Sequence, residues 1–182
     1  MSQNKIWKKQ QAKTEVAKKE EDETKVEETK QEEKKDENGG TMEQQQAVRM
    51  AEDYLDNTVF SKSGLIEQLE YEGFSNRDAT YAVENITVNW REQAVIAAED
   101  YLAYTAFSKS ALIEQLLYEG HSNEDATYAV ENITVDWREQ AVQAAKDYFD
   151  YSAFSRSGLV DQLIYEGFSS EDADYAATEA GL

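Results

Sequence analysis

The chain has 182 residues, 40% of them hydrophobic, with 18 Lys or Arg against 38 Asp or Glu for a formal net charge of -20, and it contains neither cysteine nor proline. The missing cysteine excludes disulfides, thiolate chemistry and cysteine-bound zinc, and the missing proline leaves long helices unopposed. Such a charge repels nucleic-acid phosphates and anionic membranes and attracts basic surfaces, over a range of about 8–10 Å at physiological salt.

Residues 1–43 hold 10 Lys and 12 acidic residues, whereas 44–182 hold 8 basic and 26 acidic ones, so the acidity belongs to the second part. From Lys8 to Glu37 the sequence is almost entirely Lys, Glu, Gln, Asp and Thr, which cannot bury a core. Residues 1–43 are therefore expected to be a disordered, charged spacer, with a reach of about 35 Å as a flexible coil. No run of 18 apolar residues occurs, and the opening MSQNKIWKKQ lacks the apolar centre of a signal peptide. The chain as given is thus expected to be soluble and monomeric.

The remainder is an internal repeat with a period of 47 residues. Between 47–93 and 94–140, 37 of 47 positions are identical, and the third copy has drifted further. That period predicts an all-α array of three three-helix units, 44–89, 90–136 and 137–182, each stacked on its neighbour. In the first helix of the middle unit, Trp90, Ala94, Ala97, Ala98 and Tyr101 form one apolar stripe, and Asn89 or Asp136 three residues before a Glu marks the start. The second helix opens at Ser61, Ser108 or Ser155 and closes at Gly73, Gly120 or Gly167. Three residues later the third helix begins at Ser75, Ser122 or Ser169, each followed by an Asp at the third position, so the pair reads as a helix-turn-helix. Trp90 and Trp137 lie where one unit joins the next and are expected to wedge between units.

A helix-turn-helix suggests DNA, but the third helices start Asn76-Arg77-Asp78, Asn123-Glu124-Asp125 and Ser170-Glu171-Asp172, and carboxylates there oppose phosphate contacts. The one histidine, His121, occupies the position of Phe74 and Phe168 and reads as a substituted core or turn aromatic. No catalytic constellation, cofactor motif or metal spacing emerges, so the expectation is a non-enzyme without cofactor or metal that works by surface recognition. Recurring carboxylates on the first helix, Asp53, Asp100 and Asp147, and on the third, Glu84 and Glu131, are the candidates for an acidic face that binds a basic partner. The alternative for these residues is capping and solubility.

The recurring Phe60-Ser61, Glu72-Gly73-Phe74-Ser75, Asp78-Ala79 and Val88-Asn89-Trp90, with their counterparts one and two periods on, resemble the Ltp-type host-cell-surface-exposed lipoproteins of Gram-positive bacteria and their prophages. The resemblance covers about 44–182. It implies tandem helix-turn-helix units on a charged spacer, anchored outside the membrane through a lipidated cysteine that this chain lacks. It also implies superinfection exclusion, in which DNA entry is blocked by engaging a phage injection component such as a basic segment of the tape-measure protein. Two alternatives remain. Tyr71-Glu72-Gly73-Phe74 with Asp78-Ala79 is similar to the loop of ubiquitin-associated domains, and a purely structural surface spacer would need no partner.

Overall fold

The computed structural model describes residues 39–182, and the spacer expected over 1–43 lies almost wholly outside them. Among the described residues the regular structure is helical: α1 (Met42–Leu55), α2 (Lys62–Tyr71), α3 (Asn76–Asn85), α4 (Trp90–Tyr104), α5 (Lys109–Tyr118), α6 (Asn123–Asn132), α7 (Trp137–Tyr151), α8 (Arg156–Tyr165) and α9 (Ser170–Glu179). Three helices make one repeat, three times over.

Local chemistry fixes the helix ends. The Ser61 side chain accepts from the Gly64 amide at 2.9 Å and so satisfies a free donor at the start of α2, as Ser108 and Ser155 do for α5 and α8. Before α3, Ser75 accepts from the Asp78 amide and donates to the Asp78 carboxylate, and the pair recurs at Ser122 with Asp125 and Ser169 with Asp172. The end of α2 is a Schellman turn. The Phe74 amide donates to the Leu69 carbonyl and the Gly73 amide to that of Glu70, with Gly73 at φ +102°.

Each repeat buries its own core. In the first, Ala47 and Ala51 of α1, Leu65 and Leu69 of α2, and Ala79, Ala82 and Val83 of α3 form one cluster with Phe60 packed on its edge. Alanines on the first and third helices let those two backbones approach closely, and the leucine pair of the second helix fills the space beside them. Each fully buried leucine contributes on the order of 1.5–3 kcal/mol. The pattern repeats with Leu112 and Leu116, then Leu159 and Leu163. Over each core an edge-on aromatic pair recurs, Tyr54 with Phe60, Tyr101 with Phe107 and Tyr148 with Phe154, at centroid distances of 5.6, 5.9 and 5.3 Å.

The repeats join through parts that no single repeat contains. Trp90 opens α4 yet packs on the core of the first repeat, and Trp137 opens α7 yet packs on that of the second. Gln93 and Gln140 reach back to accept from the Phe60 and Phe107 amides at 3.1 and 3.3 Å. Most specific is a serine lock. Ser61 donates to the Glu119 carbonyl at 2.5 Å, Ser63 to that of Gly120 at 2.8 Å, and Ser108 to that of Glu166 at 2.5 Å. A Cβ on Gly120 would lie 2.0 Å from the Ser63 hydroxyl, and one on Gly167 would lie 2.0 Å from that of Ser110. At Gly73 the same construction meets nothing within 4 Å, although its φ is also positive.

His121 occupies the position that Phe74 and Phe168 hold in the sister repeats and is 7% exposed. Burial lowers its pKa from the usual 6.5, against the opposing pull of Asp125 and Glu119. A folded imidazole that resists protonation while the unfolded one accepts it makes stability fall as pH drops below about 6.5. His121→Phe should therefore flatten the change in urea midpoint between pH 7.5 and 5.5. Gly120→Ala should cost about 1 kcal/mol more than Gly73→Ala in denaturant unfolding, because both carry the left-handed penalty but only Gly120 also loses a junction hydrogen bond.

Candidate recognition surface

The acidity of the repeats divides into clamped and open carboxylates. Arg91, on α4, donates to Glu124 at 2.5 Å and to Asp125 at 3.3 Å, both at the start of α6, while its guanidinium lies 4.5 Å from the centre of the Tyr128 ring. One period later Arg138 repeats the arrangement with Glu171 at 2.7 Å, Asp172 at 2.9 Å and Tyr175 at 4.9 Å. Arg156 binds Asp174 at 2.9 Å together with the Leu182 carbonyl. These charges are spent on joining helices within a repeat.

Asp53, Asp100 and Glu131 are exposed and have no ion pair among the described residues. Glu84 is held loosely by Lys62 at 3.8 Å, and Asp147, half-buried, accepts from Gln143 at 2.7 Å. The five do not share one site. Asp100 and Asp147 line equivalent grooves, one at each junction between repeats, whereas Asp53, Glu84 and Glu131 line neither.

The first groove, about 590 Å³, runs between the α1–α2 connection with the start of α2 and the facing ends of α4 and α5. Glu67, Asp100, Tyr104 and Tyr118 stand along it. The second, about 620 Å³, has Glu114, Asp147, Tyr151 and Tyr165 at the matching positions. Each groove is lined by a further carboxylate with internal partners. Glu119 accepts from the Tyr101 hydroxyl at 2.8 Å and the Gln115 amide at 3.0 Å, and Glu166 accepts from Tyr148 and, at 3.2 Å, from Gln162. Burial raises the pKa of the Glu166 carboxyl and of the Tyr101 phenol. In Tyr101, the bond to Glu119 adds to the effect.

Sequence reasoning reached Asp100 and Asp147 but not the tyrosines beside them. A signal was present: Tyr104 and Tyr151 stand where the first repeat has Asn57, an unexplained gain of a large aromatic off the apolar stripe. Among the described residues there is no group of three or more His, Asp or Glu able to hold a metal ion, and no helix long and apolar enough to cross a membrane.

The family model described as host cell surface-exposed lipoprotein matches this chain three times, over residues 42–86, 89–133 and 136–179. Among solved structures, that of Ltp, a superinfection exclusion protein from the Streptococcus thermophilus temperate phage TP-J34, is 31% identical, over 52% of this chain and 99% of that one, with a TM-score of 0.49. A comparison with curated proteins gives no match.

The clamp in the third matched segment has a pH signature. The Asp172 carboxyl is held below its usual pKa by the Ser169 hydroxyl first and by Arg138 second. A depressed carboxyl stabilises the fold above its unfolded value of about 3.9, and that stability is lost as pH falls through the folded value. Asp172→Asn should lower the urea midpoint at pH 7 and weaken its dependence on pH between 5 and 2, measured by circular dichroism.

Proposed function

The chain belongs to the family of host cell surface-exposed lipoproteins, and from that premise we propose that it acts in superinfection exclusion at the surface of a Gram-positive cell. Family membership over all three repeats carries the reading, and the role is the one named for the phage TP-J34 protein. In this reading the chain performs no covalent chemistry. It binds a component of the injection apparatus of an incoming phage, a tape-measure-like protein, through a basic segment of that partner, and so prevents DNA entry.

Charge supports the choice of partner. Residues 44–182 carry 26 acidic against 8 basic residues, and several of those basic groups are already committed to internal clamps. The open carboxylates then face solvent with no ion pair among the described residues, a field that draws in basic segments and excludes nucleic acid.

The test is to display the chain outside a Gram-positive host and to score phage adsorption and DNA entry separately. Normal adsorption with lost entry is expected for at least one phage. Unimpaired entry for every phage tried would remove the reading.

A further inference from the structure

We propose that the two junction grooves are the docking sites, each taking an arginine-bearing stretch of a basic peptide between exposed tyrosines and unpaired carboxylates. For the identity of the partner this rests on the superinfection-exclusion reading. The chemistry of the grooves stands on its own.

The first argument is exposure. Tyr104 and Tyr118 are 90% and 85% exposed, and Tyr151 and Tyr165 are 90% and 87% exposed. Phenol rings so far outside the core contribute little to folding, and here they mark the walls of a groove at each junction.

The second argument is the difference between repeats. The two grooves lie where a repeat has a predecessor, so the first helices of the second and third repeats contribute their walls, whereas α1 contributes to neither groove. At two positions on these helices the copies divide accordingly. The groove-forming repeats have Ala97 and Ala144 where the first repeat has Met50, and Tyr104 and Tyr151 where it has Asn57. Ala97 and Ala144 line the grooves, leaving room that a methionine would fill. The small floor and the aromatic wall thus occur together, where there is a groove to build.

The third argument is charge complementarity with a known geometry. Glu67 and Asp100 in one groove and Glu114 in the other carry no ion pair among the described residues. Elsewhere this molecule joins the same three groups, guanidinium over tyrosine with carboxylates beside it, at Arg91 and Arg138. The grooves present the tyrosine and the carboxylates and lack the cation. Arginine suits this setting better than lysine because its planar guanidinium stacks on the ring and bonds carboxylates through a fork. A volume near 600 Å³ accommodates a short peptide segment as well as one side chain. Two grooves on one compact unit favour a partner with two arginine clusters, since the second contact becomes intramolecular.

The probe is a synthetic peptide with two Arg-Gly-Arg clusters joined by a Gly/Ser linker, titrated into the full chain by calorimetry. Wild type should bind it, and the double variant Tyr104→Ala with Tyr151→Ala should weaken binding by about tenfold. Asp100→Asn with Asp147→Asn should do the same, while Asp53→Asn with Glu131→Gln, an equal change in net charge outside the grooves, should change it less than about twofold. Circular dichroism checks that each variant is folded. No binding by wild type, equal losses in both carboxylate pairs, or full binding by the tyrosine variant overturns the proposal. A wild-type chain that binds the peptide in its grooves but excludes no phage would overturn the functional reading and leave the grooves standing.

Discussion

One hydroxyl ties two helix ends together at each junction, and the geometry of the array depends on it. Ser61 accepts from the Gly64 amide to cap α2 and donates to the Glu119 carbonyl at the close of α5, which uses the donor and acceptor capacities of a single side chain at once. Both partners are groups that a helix terminus leaves unsatisfied, so the contact joining two repeats also completes each of them. Since a hydrogen bond is directional, it sets the angle between repeats more tightly than apolar contact alone. The indole of Trp90 adds an apolar contact between the same two repeats, against the first core. The grooves are what remains open beside this joint, so their width follows from the lock.

Much of this was legible beforehand. The 47-residue period, the serine caps and the glycine turns each have a local cause, and each helix begins and ends close to where its capping residues place it. Trp90 and Trp137 stood out because a large indole sits at every connection between units. The lock was not legible, because Ser63 and Gly120 meet only once two repeats have been stacked, and nothing in a 47-residue window distinguishes Ser63 from an ordinary exposed serine. The candidate surface was legible only in part. Asp100 and Asp147 lie in grooves while Asp53, at the equivalent position of the first repeat, does not, since its location relative to a neighbour depends on there being a neighbour before it.

Counting charges overstated how uniform the acidity is. Glu124, Asp125, Glu171 and Asp172 look like bare negative groups in the sequence, yet arginines on the first helix of the same repeat pair with them while lying over tyrosine rings. Within the first repeat the charges differ, with the neutral Gln44 in place of Arg91 and Arg77 in place of Glu124. Uncompensated carboxylates are consequently fewer than the sequence count suggests, and some of those that remain lie in grooves with aromatic walls. Localised charge beside a ring discriminates among partners, whereas diffuse charge mainly sets solubility and encounter rate.

The turn at Gly73 keeps the left-handed conformation of Gly120 and Gly167 with no serine laid over it. That edge already has the form of a joint, so inserting or deleting one period of coding sequence requires no new contact to be invented. An added unit of the same kind would therefore bring one more cleft. A lineage that changes how many units it carries changes how many footholds it offers while every surface stays as it was.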